Sequence, residues 1–208
     1  MPPPADPITE VWRYLRERWR DERSASSTGF DEALGVRTAR WTLSGYEPVP
    51  IDIAAEVMAA MPLPAEGATF IDLGCGKGRM LLLAARHPFA AVWGVDHDPG
   101  LIRTAQANLR AADDPARRCP ETSALLLDAR EVPWPATPLV VFLYNPFPAD
   151  VLDPVLASLE RSLTDGRPAA LVYVNPLFDE CLHRRGWRKG PAGGEGVSRW
   201  GWWFPPGR

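Results

Sequence analysis

Hydrophobic and polar positions divide the chain into an arm and a strongly alternating remainder. Ile8, Val11, Trp12, Leu15 and Trp19 recur at helical spacing, with arginine and glutamate on the other face, which predicts an amphipathic helix from Ile8 to about Arg23. Residues 24–50 are polar, rich in Gly and Ser, and follow neither period, so they read as a connecting arm ending in Gly45-Tyr-Glu-Pro-Val-Pro50. A helix is expected over Ile51–Met61, stopped by Pro62 and Pro64. From Thr69 the pattern changes. Apolar runs at Thr69–Leu73, Ala91–Val95, Ala124–Leu127, Leu139–Tyr144 and Ala169–Val174 read as strands, with helical stretches at Arg79–Arg86, Pro99–Ala112 and Val151–Leu163 between them. Continuous apolar strands separated by helices predict a parallel sheet covered on both faces. After a short helix at Asp179–Arg185, the tail Gly186–Pro205 alternates about Gly193-Gly194 and reads as an antiparallel hairpin, with Trp200, Trp202 and Trp203 on a strand. The expected organisation is an N-terminal helical arm and cap over 1–50 and one α/β domain over 51–208, built on a doubly wound, mostly parallel sheet of seven strands.

Composition adds bounds to this picture. With 208 residues, 46% hydrophobic and 24% charged, the chain can bury a sizeable core without a metal or disulfide staple. Cys75, Cys119 and Cys181 are odd in number and scattered, without zinc spacing, which fits a reducing, cytoplasmic compartment and no metal. No signal-peptide pattern and no apolar run of membrane-spanning length occurs. A net charge of -3 lowers the expectation of a nucleic-acid partner. The arginines of the first helix are interleaved with Glu10, Glu17, Asp21 and Glu22, which suits a solvated face better than a basic patch.

Candidate chemistry gathers at the strand ends. The first strand runs into Asp72-Leu-Gly74-Cys75-Gly76-Lys-Gly78, where alternate glycines let the backbone pass close to a ligand at a helix start. The dinucleotide motif G-x-G-x-x-G would require a small residue at position 79, and Arg79 stands there. The second strand ends in Asp96-His97-Asp98. Asp96 lies about 20 residues beyond the loop, where an acid can take ribose hydroxyls, while Asp98 before Pro99 suits a helix N-cap. Asp128-Ala129 follow the third strand, where a carboxylate and the next backbone N–H can meet an adenine edge; a turn-forming aspartate is the other reading.

Phe70–Arg79, Gly94-Val-Asp96 and Leu127-Asp-Ala129 resemble, in order and spacing, the cofactor motifs of class I S-adenosylmethionine (SAM)-dependent methyltransferases. The likeness is strongest to small bacterial proteins carrying F-x-D-L-G-C-G-K-G-R and F-L-Y-N-P-F, the second present as Phe142–Phe147. The resemblance implies a Rossmann-like fold and methyl transfer from SAM, with S-adenosylhomocysteine (SAH) as product. It assigns Asp72 and the Gly74-Cys75-Gly76-Gly78 backbone to the amino-acid end of SAM, Asp96 and His97 to the ribose end, and Asp128 with Ala129 to adenine. Tyr46 is similar to a tyrosine over the cofactor in small protein-lysine methyltransferases, and an anchoring aromatic in a proline turn is the other reading. Asn145 and Phe147 stand where amine-modifying methyltransferases hold an acceptor, although Asn145-Pro-Phe147 departs from the [D/N]-P-P-[Y/F/W] pattern, so Asn145 reads as a cofactor- or acceptor-side polar group and Phe147 as a candidate wall. Candidate bases are Asp98, His97 and Glu47. The expected acceptor is a protein amine such as lysine, then a small metabolite, with nucleic acid well below, and no membrane partner is expected. A non-catalytic SAM-binding subunit and a nucleotide-dependent oxidoreductase are the rivals.

Overall fold

The computed structural model describes residues 25–38 and 47–207, so the helix expected over Ile8–Arg23, and Tyr46, lie outside the described residues. The elements are α1 (Ala25–Leu34), α2 (Ile51–Ala59), β1 (Thr69–Leu73), α3 (Arg79–Ala84), β2 (Ala91–Asp96), α4 (Pro99–Ala111), β3 (Glu121–Leu126), β4 (Leu139–Tyr144), α5 (Ala149–Ser162), β5 (Ala169–Val174), α6 (Glu180–Arg184), β6 (Arg188–Gly193) and β7 (Trp200–Phe204). One seven-stranded sheet runs in the order β3-β2-β1-β4-β5-β7-β6. The first five strands are parallel, and β7 enters antiparallel between β5 and β6. The order turns back beside β1, which creates a crevice between the ends of β1 and β4.

Period-two alternation decides what each side of the sheet buries. Phe70, Val140, Phe142, Val172 and Trp202 join the cluster that also holds α2, α3 and α4, while Ile71, Leu73, Val141, Leu143, Leu171 and Trp203 join the one with α5 and α6. Burying a side chain of this size is worth about 1.5–3 kcal/mol, and a slip of one residue in any central strand would turn a whole row into the packing of the opposite cluster. Asp98 caps α4, accepting from the Gly100 and Leu101 backbone N–H groups at 2.6 and 2.9 Å, and Pro99 opens the helix.

Two sequence expectations need correction. Within 24–50, α1 replaces part of the expected irregular arm: Phe30 and Leu34 pack with Val36 against Leu82, and the Arg86 guanidinium lies over the Phe30 ring at 5.5 Å. Too few apolar positions mark that helix in the sequence; its stability comes from docking on α3. β3 starts at Glu121, three residues before the expected Ala124, because it is a half-exposed edge strand whose first residues are polar. Among the described residues, no helix is long and apolar enough to cross a membrane.

Candidate functional site

The ends of β1–β5 open into a cleft of about 520 Å³, a size suited to a small-molecule cofactor with part of a second ligand. Its base is the glycine loop. Gly74, Gly76 and Gly78 take positive φ angles of +79°, +53° and +81°, which side chains rarely adopt. At Gly74 the requirement is also steric, since a Cβ would come within 2.5 Å of the Pro146 Cβ at the end of β4. The loop thus presents bare backbone to the cleft, a surface that a side chain would fill.

Asp96 holds this loop in shape. One carboxylate oxygen accepts from the Gly76 N–H at 2.9 Å and the other from the Asp98 N–H at 2.9 Å. Gly74 and Cys75 both donate to the Val95 carbonyl, at 2.8 and 3.0 Å. Asp72 lies buried beneath the loop. Desolvation, reinforced by the nearby Asp96 charge, pushes its carboxyl well above the usual carboxylate range. The Cys75 thiol is pushed up for the same first reason, so it is a buried filler and no ready nucleophile.

The structure brings Gly74, Gly76, Asp96, His97, Asp128, Ala129, Asn145 and Phe147 together along the cleft, while Asp72, Cys75 and Gly78 sit behind its wall. His97 is 89% exposed at its side chain and 3.7 Å from Asp96. Asp128 accepts from the Arg130 backbone at 2.8 Å and meets the Arg130 guanidinium through both carboxylate oxygens, which lowers its pKa to about 2. Of the three base candidates, Asp98 is committed to its helix cap, and the capping N–H groups lower its pKa. Glu47 lines the same cleft.

Arg79, the residue that argues against a dinucleotide motif, is 1% exposed. It turns away from the cleft: Nε donates to Thr38 Oγ1 and a terminal nitrogen to the Val49 carbonyl, both at 2.9 Å. Thr38 in turn is held by Asp31 through its backbone N–H and its hydroxyl. Asn108 completes the link, accepting from the Arg37 N–H at 3.0 Å and donating to the Lys77 carbonyl at 2.9 Å. A buried guanidinium therefore ties the segment before α2 to the helix that follows the loop.

At the other end of the cleft, Asn145 takes φ +40°. Its Oδ1 accepts from the Tyr173 hydroxyl at 3.2 Å, and burial raises the Tyr173 pKa, which keeps that hydroxyl a donor. Sequence reasoning missed Asn175, which takes φ +47° at the end of β5 and also lines the cleft. The available signal was a second strand–Asn–Pro end, Val174-Asn175-Pro176 beside Tyr144-Asn145-Pro146.

The methyltransferase-domain family matches residues 70–166. Trans-aconitate 2-methyltransferase of Methylobacterium radiotolerans is 42% identical over 84 residues, 38% of this chain and 32% of that protein. The enzyme of the same name from an Azoarcus species is 32% identical over 135 residues, 63% of this chain and 48% of that protein. The chain thus spans under half the length of these relatives. An RNA methyltransferase from Salinibacter ruber, solved with SAH, superimposes with a TM-score of 0.56 at 18% identity, over 77% of this chain and 95% of that one, a likeness of fold alone. Sheet order, glycine loop and family match thus agree: residues 70–166 match the methyltransferase-domain family, and the sheet has the fold of solved methyltransferases.

Proposed function

We propose that the protein transfers a methyl group from SAM to an uncharged or cationic acceptor nitrogen, on a protein amine or a small metabolite. The observation that carries this reading is the cleft itself: a bare glycine loop and Asp96, then Asp128-Ala129, on one side, and Asn145 with Phe147 on the other. The Gly74–Gly76 backbone fits the amino-acid end of the cofactor, Asp96 the ribose and Asp128-Ala129 the adenine, as the family resemblance implies. Bound there, SAM supplies a sulfonium-activated methyl group, which passes to the attacking nitrogen while the sulfur keeps the bonding pair. The chain's part is to align the acceptor and keep water out of that line, which needs no covalent intermediate. Phe147 and Tyr144 provide flat apolar walls for this, and Glu47 is a carboxylate to which the nitrogen's proton can pass.

The relatives are named for trans-aconitate, a tricarboxylate. Glu47, Asp96, Asp98 and Asp128 line the present cleft, and its arginine, Arg130, is engaged by Asp128. That charge pattern supports a neutral or cationic acceptor over a polyanion.

The test is calorimetric binding of SAM, SAH and NADH side by side, followed by product analysis with amine and carboxylate acceptors. SAM and SAH should bind at micromolar affinity and NADH far more weakly. Preferential NADH binding would sink the reading in favour of an oxidoreductase. Tight SAM binding without SAH formation from any acceptor would favour a non-catalytic subunit.

A further inference from the structure

Asn175 is the polar group of the cleft with nothing to do. It is 7% exposed, yet its side chain makes no hydrogen bond among the described residues, and it lines the cleft. Its amide atoms are reached from the cleft alone, so water or a ligand there must satisfy them. Its backbone gives no freedom to turn away. The N–H donates to the Arg199 carbonyl at 2.8 Å, the Arg199 guanidinium holds the Pro176 carbonyl at 3.0 Å, and φ is fixed at +47°. The backbone at the tip of β5 is therefore held on both sides of Asn175, which lines the cleft.

Beside it, Asn145 occupies the same position on the adjacent parallel strand, with the same left-handed backbone and the same following proline. The two amides differ in what they still have to offer. Tyr173, whose hydroxyl is supported by the Phe178 backbone N–H, uses the Asn145 oxygen, so the Asn145 NH2 group is the part left for a ligand. Asn175 retains both its oxygen and its NH2 group. Together they present a donor and an acceptor side by side in the cleft that Tyr144 and Phe147 also line. Along the sheet, β5 is also the cleft-forming strand farthest from Asp128 beyond β3, which puts this pair at the opposite end from the adenine position.

The geometry points to Asn145 and Asn175 as a two-amide acceptor subsite that recognises an uncharged planar group of carboxamide type, with a carbonyl or ring lone pair against the Asn145 NH2 and an N–H against the Asn175 oxygen. This rests on the methyl-transfer reading above and narrows its acceptor. A carboxylate offers no N–H for the Asn175 oxygen and would face Glu47 in the same cleft. A simple alkyl amine has no lone-pair edge to fill the second position once protonated. Recognition by complementary hydrogen bonds is the discriminating kind, because the wrong ligand leaves a buried amide unpaired.

The experiment compares benzamide with benzoate, probes of nearly the same shape, on full-length protein saturated with SAH. Affinities are read by NMR titration of the wild type and of Asn175→Gly, which removes the amide while accepting φ +47°. The wild type should bind benzamide at least tenfold tighter than benzoate, with the Asn175 side-chain NH2 resonance shifting on addition. Asn175→Gly should lose about tenfold in benzamide affinity and most of the preference. Equal or tighter benzoate binding, binding of neither probe, an unmoved Asn175 resonance, or a benzamide affinity within twofold of wild type in Asn175→Gly would each overturn the inference. SAH binding measured in the same samples separates the two levels: its absence in the wild type removes the methyl-transfer reading, and its presence confines a negative result to the acceptor subsite.

Discussion

The two halves of the cleft are built on different principles. Around β1, β2 and β3 the polar groups are already spent on one another: Asp96 holds two backbone N–H groups, Asp98 caps α4 and Asp128 is paired with Arg130. Around β4 and β5 one amide is half used and its neighbour is open. On the proposed reading, a cofactor shared by many enzymes is met by a backbone cradle whose acids fix loop shape as well as facing the ligand. On the same reading, an acceptor that distinguishes one enzyme from another is met by side chains, where a single substitution can change the chemistry recognised. Buried groups left unpaired are the expense of that selectivity.

Gly74→Ala attacks the seam between the halves and should have the largest effect. A Cβ at φ +79° and 2.5 Å from Pro146 Cβ forces both the loop and the β4 end to move. The expected cost is about 3 kcal/mol or more, read as a lower thermal midpoint together with loss of SAH binding in calorimetry. A variant that melts and binds SAH like the wild type would mean the two halves are not mechanically joined there. Asp96→Ala strikes the cofactor half alone. Two backbone donors lose their acceptor, and SAH affinity should fall by about 1–3 kcal/mol, roughly tenfold to a hundredfold, with benzamide binding retained. Unchanged SAH affinity would remove Asp96 from the cofactor site.

Tyr173→Phe is the mirror experiment on the acceptor half. It frees the Asn145 amide to turn, and should weaken acceptor binding by about 0.5–1.5 kcal/mol while leaving SAH affinity unchanged. A drop in SAH affinity of equal size would show that the halves are coupled through Asn145. The smallest effect is at Asp128. Its folded carboxyl titrates near 2, below the roughly 3.9 of an unfolded chain, so its contribution to stability is present above about pH 4 and is lost as pH falls toward 2. In an acid-unfolding series followed by circular dichroism, Asp128→Asn should flatten that limb. An unchanged limb would mean the Arg130 pair adds nothing in solution.

Central strands were legible because they are buried on both faces and so are apolar throughout, as Leu139–Tyr144 and Ala169–Val174 are. β3 was blurred because an edge strand is half solvated, and α1 was missed because Phe30 and Leu34 gain their meaning only against Leu82. The same division runs through the site. The glycine spacing needed by a backbone cradle is local, so Gly74, Gly76 and Gly78 could be read directly, and Asp96 by its distance from them. Asn175 could not be singled out in that way, since its amide matters only because β5 lies beside β4 and Tyr173 has already taken the Asn145 oxygen.

The sequence by itself determined the alternation of strands and helices, the left-handed glycine turn after β1 and the acids at three strand ends, because each depends on a residue and its near neighbours. The tertiary structure alone decided that Arg79 ties the segment before α2 to α3, that Asp96 shapes the loop from its own strand end, and that two asparagines thirty positions apart stand side by side. Those are consequences of strand order and burial, which bring distant residues to one edge and leave each polar group either paired or open to a ligand.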